Sequence, residues 1–368
     1  MQIKDGVCYL SYVRNTKEFN DDEFSPYLEL VLRVFALEDA LSDDFDAERD
    51  SELFLIGKIG TDFLGERATT CPKGNAMQFL GDELYICTSF CNEDGRYKLI
   101  RIVFDTKTKT FTKPVMIKLR YNGELYDMDD AIINRIYEDF GVGCTEGSVL
   151  EIVSPFSEYR GEYYSTFVIG SPTPNSGVAV KTCDFEIFDL VSVIPNNEKG
   201  SAEAISRIYD GKLFVAARQS WTLPYMLLMR YDIDEGVWHA PYRIEDANAR
   251  PWIFEYKNEL YLYNTIDEGF RVYSNISKIR TSKKAHNGKN NPIDTIATLF
   301  DCGAYACLCP LGERIFLASS KDGHVHFGEL CIKEYSPKAV NDRLLALLFD
   351  TDEAKEIDSI AIGAEKDS

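Results

Sequence analysis

Along most of the chain, polar and apolar residues alternate with a period of two, in short runs separated by polar turns, which is the pattern of half-buried β-strands. The clearest unit is a polar turn followed by an alternating run of β-branched and aromatic residues. It occurs as KDGVCYLSY from Lys4, LGDELYICT from Leu80, YDGKLFVAA from Tyr209, YKNELYLYN from Tyr256 and LGERIFLAS from Leu311, with a weaker copy, YRGEYYSTFV, from Tyr159. Each reads as the turn and second strand of a β-hairpin. A second element recurs behind the first: VFDTKTKTFTKPVMI from Val103 aligns without a gap on RYDIDEGVWHAPYRI from Arg230. Phe104 matches Tyr231, Asp105 matches Asp232, Phe111 matches Trp238 and Pro114 matches Pro241. This is strand, turn, strand: the outer pair of a four-stranded antiparallel unit, with the aromatic between units and the proline at an edge where no ladder donor is missed.

Hairpin copies whose closest spacing is about 50 residues predict an all-β chain folded as a β-propeller. The count gives six blades, or five if the weak copy at Tyr159 is not a blade. Residues 1–336 form the predicted propeller, and 337–368 hold a candidate amphipathic helix, AVNDRLLALLF, followed by an acidic tail. Two long gaps carry the insertions LEDALSDDFDAERDSE and RYNGELYDMDDAIINRIYEDFG, read as loops or short helices. A parallel α/β fold is disfavoured, because amphipathic helices do not separate the strand signals and no Gly-rich phosphate loop follows a strand.

Composition narrows the function. The chain has 368 residues, 45% of them hydrophobic, including 22 Phe and 21 Tyr, enough for a large core. With 60 acidic against 40 basic residues its formal charge is −20, which repels nucleic-acid phosphates and anionic lipid. No apolar run has the length of about 20 residues that spans a bilayer. The start, MQIKDGVCYLSYV, lacks the apolar core of a secretion signal, so the expectation is a cytoplasmic protein unless a leader has been removed. Ten cysteines include Cys87 and Cys91, and Cys307 and Cys309, in strand-like segments, not at zinc-site spacing. His324 and His326 would share a strand face, but no third ligand is evident nearby, so no metal or other cofactor is expected. The basic run SKIRTSKKAHNGK from Ser277 reads as a solvated hairpin loop.

The segment EAISRIYDGKLFVAAR sets an acid, Glu203, before one hairpin and an arginine, Arg218, at its far end. The order of acid, alternating strand, Asp-Gly turn, strand and arginine resembles the middle of the exo-sialidase (neuraminidase) family. The following RYDIDEGVW resembles that family's Asp-box, the BNR repeat Ser-x-Asp-x-Gly-x-x-Trp. Asp234, Gly236 and Trp238 keep its order, but Trp238 comes one residue early and Asp232 replaces the serine. Downstream, NELYLYNTIDEGFRVYSN places Arg271 in a setting similar to the last arginine of the sialidase triad. GAYACLCPLGERIFLASS resembles the segment of the tyrosine nucleophile, at Tyr305. Upstream, Arg14 with Asp21 and Asp22 resembles the stretch of the catalytic aspartate. The family's opening Arg-Ile-Pro has no counterpart, so either that strand comes from elsewhere in the chain or the first carboxylate clamp is absent.

The resemblance implies a retaining glycoside hydrolase, or a glycan-binding propeller, with a glycan or other small molecule as ligand. A sugar with a carboxylate on its anomeric carbon is held by forked guanidinium donors, and a neutral tyrosine approaches it where a carboxylate nucleophile would be repelled. In that scheme Tyr305 is the nucleophile, Glu203 its base, Arg218 and Arg271 the clamp, Asp21 or Asp22 the acid, and Arg14 a further substrate-binding candidate. NARPWIFEY adds Arg250 and Trp252 as candidates for a sugar-binding mouth. Each has a structural alternative: Glu203 solvated at a strand start, Arg218 paired with a neighbouring acid, Tyr305 and Trp252 packed, and Asp21 and Asp22 in a solvated acidic run. The corresponding alternative for the whole chain is a non-catalytic propeller that serves as a binding platform.

Overall fold

A computed structural model describes residues 1–16, 26–42, 44–141, 149–170, 176–195, 202–219, 225–245, 247, 250–267, 272–300, 304–321 and 324–330. The predicted tail 337–368 lies outside them. The described chain is almost entirely antiparallel sheet. Strands Gln2–Lys4, Val7–Asn15, Leu28–Ala36 and Glu52–Lys58 form a first sheet in chain order. The second holds Lys73–Leu80, Glu83–Cys91, Tyr97–Asp105 and Thr110–Phe111, with Val115–Met116 also on Tyr97–Asp105. The fourth repeats that plan with Ala202–Tyr209, Lys212–Arg218, Tyr225–Asp232, Val237–Trp238 and Tyr242–Glu245. The fifth is Trp252–Tyr256, Glu259–Asp267, Val272–Ile279 and Ile293–Phe300. The last is Ala304–Leu311, Arg314–Lys321 and His324–Leu330.

The third sheet is larger, with seven strands. Val149–Ile152 and Ser157–Tyr159 both pair with Glu162–Gly170, and Ser176–Thr182 and Ile187–Val193 follow. A hairpin from the preceding connection, Lys118–Tyr121 with Glu124–Asp127, then adds to its outer edge, Lys118–Tyr121 running parallel to Ile187–Val193. The insertion that supplies this hairpin continues into the helix Asp130–Asp139, whose N-cap Asp129 accepts from the Ile132 N–H at 3.0 Å. That helix buries Ile132, Ile133, Ile136 and Tyr137.

The innermost strands lie side by side in chain order, and Ala304–Leu311 returns to Gln2–Lys4, which closes a ring. Six like blades are not what the fold contains. Five sheets have the four or more strands of a full blade, and the last has three among the described residues. The repeat counted hairpins, and a hairpin supplies only the inner half of a blade. The faint copy at Tyr159 nonetheless heads the largest sheet.

The repeat's turns form as their residues dictate. Both turn residues take positive φ at Asp5-Gly6, Arg160-Gly161, Asp210-Gly211 and Lys257-Asn258, the backbone of a tight hairpin loop. The outer element also forms as aligned: Phe104 faces Phe111 and Tyr231 faces Trp238, with ring centroids 5.1 and 4.9 Å apart. Between sheets the contacts are apolar. One cluster joins Leu30, Leu32 and Ile56 of the first sheet to Ile86, Ile100 and Phe104 of the second. Where the third and fourth sheets meet near the axis, hydroxyls take over: Ser154 and Ser206 hydrogen-bond at 2.9 Å, and Thr166 donates to the Ala204 carbonyl at 2.7 Å. Cys87 is buried, which pushes its thiol up to about 12, as expected of a packing residue. No helix among the described residues is long and apolar enough to cross a membrane.

The basic loop after Val272–Ile279 is anchored, not freely solvated. Lys283 pairs with Glu235 of the fourth sheet at 2.9 Å, and His286 packs on Phe214. His286 is 1% exposed and its Nε2–H donates to the Arg280 carbonyl at 2.8 Å.

Two outcomes are expected. Gly74 has φ +55, and a Cβ there would stand 2.7 Å from the Ile152 carbonyl oxygen, so Gly74→Ala should cost about 3 kcal/mol in urea denaturation. Gly123→Ala, with φ +82 but open space around it, should cost about 1 kcal/mol. Burial pushes His286 from its ordinary 6.5 down to about 4, so the native state resists a proton that the unfolded chain accepts. Stability should therefore fall as pH drops from 6.5 towards 4, and His286→Phe should flatten that part of the pH profile.

Candidate functional site

The innermost strand of the fourth sheet begins with an irregularity. Ala202 lies opposite Arg218 and Ala204 opposite Ala217, which leaves Glu203 as an extra residue in a β-bulge. Its φ is +40, a left-handed value uncommon for a residue with a side chain. As an extra residue Glu203 stands outside the strand's regular alternation, whose next two residues, Ala204 and Ile205, are buried on opposite faces. Two guanidinium groups meet the Glu203 carboxylate. Arg218 donates from Nη1 to Oε2 at 2.9 Å, and Arg250 donates from Nε and Nη2 to Oε1 at 3.3 and 3.2 Å. The side chains of Glu203, Arg218 and Arg250 are 9%, 7% and 27% exposed, so most of this ionic cluster is removed from water. Such a carboxylate is tolerated because each oxygen has a charged donor, and in a weakly screened setting those bonds also fix its direction.

The same device recurs around the ring. The second sheet shifts register between Lys73 and Asn75, where Gly74 is the extra residue, and the last sheet between Ala304 and Cys307. Every one of these bulges lies at the start of an innermost strand. Tyr305 lies, by its backbone, in the corresponding irregularity of the last sheet, where it and Ala306 together stand against Ser319. The Tyr305 side chain lies outside the described residues.

The remaining candidates are distributed as follows. Arg14 is the penultimate residue of the second strand of the first sheet, Val7–Asn15, whereas Arg218 is the last of its strand in the fourth. The Arg14 guanidinium is held by Glu29 at 2.7 Å, and Glu29 also takes Lys58 at 3.2 Å. Trp252 is 8% exposed, and its Nε1–H donates to the Leu308 carbonyl at 2.9 Å, which packs the indole between the fifth and last sheets. Asp21, Asp22 and Arg271 lie outside the described residues, as does the side chain of His324, while His326 is exposed. The Asp-box-like turn has its own ion pair, Asp234 with Arg160 of the third sheet at 2.8 Å.

Sequence reading missed that Arg250 and Arg218 share one carboxylate, and that Gln219 beside them is fully buried. One signal was available. In SAEAISRIY an acid stands between two alanines at the start of a strand that is otherwise buried, which breaks the alternation. An open cavity of about 600 Å³ lies elsewhere, at the opposite end of this strand. Tyr209, Asp210, Lys212, Glu158, Glu255 and Asn258 line it, about 20 Å from Glu203 by strand length.

No family model matches the sequence, and no curated protein matches it. Solved structures do match in fold. A protein of unknown function from Dyadobacter fermentans gives a TM-score of 0.58 at 12% identity, over 88% of this chain and 90% of that one. The Hadza microbial sialidase Hz136 gives 0.57 at 12% identity, over 88% and 63% of the two chains. Trypanosoma rangeli sialidase, solved in complex with sialic acid, gives 0.55 at 8% identity, over 88% and 52%. This chain thus spans about half the length of the trypanosomal enzyme and under two thirds of the Hadza one. At such identities the likeness is one of fold: the chain is a β-propeller of the sialidase-like kind.

Removing Arg218 takes the charged donor from Glu203 Oε2 in a buried setting and leaves Arg250 alone on the carboxylate. Arg218→Met should therefore destabilise the protein by about 3 kcal/mol in urea denaturation. The double variant Glu203→Gln/Arg218→Met should be less destabilised than the sum of the two single ones, a coupling that a double-mutant cycle reads directly.

Proposed function

We propose that the Glu203 end of the ring is a glycan site, and that the chain is a sialidase-like retaining glycoside hydrolase. The observation that carries this reading is the bulged Glu203 held by Arg218 and Arg250, with the backbone of Tyr305 in the corresponding bulge of the last sheet. Arg218 and Arg271, with Arg250 and Arg14 beside them, hold the anionic group of the sugar. Tyr305 attacks the anomeric carbon as its phenol proton passes to Glu203, and Asp21 or Asp22 protonates the departing oxygen. Water then hydrolyses the tyrosyl intermediate, and Glu203 returns the proton. The fold likeness supports this scheme by supplying a ring on which residues distant in sequence can meet. Of these groups Glu203, Arg218, Arg250 and Arg14 lie among the described residues.

A second reading has its own support. Glu203 is so fully engaged by cations that the cluster also suits a structural tie between the fourth and fifth sheets. The chain would then be a binding platform whose mouth takes a ligand without cleaving it. Hydrolysis of a panel of aryl glycosides, aryl sialosides included, separates the two. The hydrolytic reading predicts turnover by the wild type and a loss of at least about 100-fold in Tyr305→Phe and in Glu203→Gln. Equal rates in Tyr305→Phe and wild type, or no turnover of any substrate, would leave the platform.

A further inference from the structure

A different arginine occupies the axis. Arg207 lies four residues beyond Glu203 on the same innermost strand, about 13 Å away by strand length. By alternation it shares a face with Ile205, which packs against Trp252 and Tyr263 of the fifth sheet, and with Tyr209, whose hydroxyl donates to the Asn258 carbonyl. Opposite it, Glu255 shares a face with Ile253, which packs back on Phe214 and Ala216. The charge of Glu255 bears on the Arg207 guanidinium, whereas the buried Cys309 thiol on the innermost strand of the last sheet is held neutral by burial. Arg207 therefore stands on a strand that lines the axis, on the face turned to the fifth sheet.

Among the described residues no acceptor or carboxylate reaches bonding distance of that charge. The other buried arginines all have partners: Arg33 donates to the Glu48 carbonyl and to Ser51, Arg218 to Glu203, and Arg230 to Asp232 and His239. Arg207 makes no hydrogen bond or ion pair among the described residues, and its Nε–H is closed off from water without an acceptor. Glu255 faces it without reaching salt-bridge distance. Burial, more than any neighbouring charge, works against the positive form and lowers its pKa. Arg207 as a residue is still partly accessible, and its neighbours Ile208 and Tyr209, with Glu255, wall the 600 Å³ cavity.

We propose that Arg207 anchors an anion site on the axis of the ring, which takes a small oxyanion, a carboxylate or a phosphate. Its oxygens provide the acceptors that the protein withholds, in the forked geometry that guanidinium favours. Glu255 acts as a brake, because its charge opposes any anion that arrives. The site is separate from the Glu203 cluster and does not rest on the hydrolytic reading.

Thermal unfolding tests it. Inorganic phosphate, and acetate in a parallel series, are titrated against chloride at matched ionic strength, with wild type, Arg207→Met and Glu255→Gln. Binding to the native state raises Tm with ligand concentration. The expected result is a rise in the wild type with at least one of the two anions, none beyond the chloride control in Arg207→Met, and a larger rise in Glu255→Gln. The anion that produces the rise identifies the class. A rise of equal size in Arg207→Met overturns the proposal, as does the absence of a rise in both wild type and Glu255→Gln. Should Arg207→Met not fold, a response of Glu255→Gln no larger than that of the wild type overturns it alone.

Discussion

The structure depends on sheets that are apolar on both faces. In Tyr225–Asp232 every one of the eight positions is buried, so that strand has no solvent side at all. A sheet of this kind cannot be stable alone, nor as one half of a two-layer sandwich, because one face would remain wet. Each sheet needs a neighbour on either side, and twisted sheets that meet this demand in sequence close on themselves. The ring is thus a consequence of hydrophobic burial, and its axis is where innermost strands from distant parts of the chain come together.

At that axis, close packing competes with the need to present polar groups. The bulges resolve the conflict differently in different sheets. In the second, glycine lets the backbone approach Ile152 where no Cβ would fit. In the fourth, a glutamate accepts a left-handed φ, and two arginines stabilise the carboxylate that results. Backbone strain held by surrounding charge is a common mark of sites that do chemistry or binding. Arg207 shows the opposite arrangement, with relaxed strand geometry and a charge that no neighbour among the described residues satisfies.

Much of the fold was legible in the residues because it rests on local rules. Asp5-Gly6 and Asp210-Gly211 announce hairpin turns, and Phe111 and Trp238 announce the outer strand through a fixed offset from Phe104 and Tyr231. The third sheet was not legible in the same way. Its parallel hairpin comes from a connection whose pairing partner lies 69 residues away, as Arg120 with Asp189 shows, and no local pattern encodes such a distance. In the candidate site, Glu203 and Arg218 could be read from one stretch, since a single hairpin brings them together. That Arg250 shares the same carboxylate depends on how the fourth and fifth sheets are rotated about the axis. Trp252 was read as a possible sugar-facing ring, but the same rotation turns its indole to the Leu308 carbonyl.

The hairpin 118–127 has a consequence for biosynthesis. It leaves the ribosome before every other strand of the sheet that it will edge, and its own partner, Ile187–Val193, is among the last of that sheet to emerge. During that interval only its base has a neighbour, through Ile117 and Met128 on Leu99 of the second sheet, while the hairpin's own edge is unpaired, and a two-stranded hairpin is marginal in water. The nascent third sheet is therefore finished by a segment that has had to wait for it, which sets a long-range, slow event in the middle of vectorial folding.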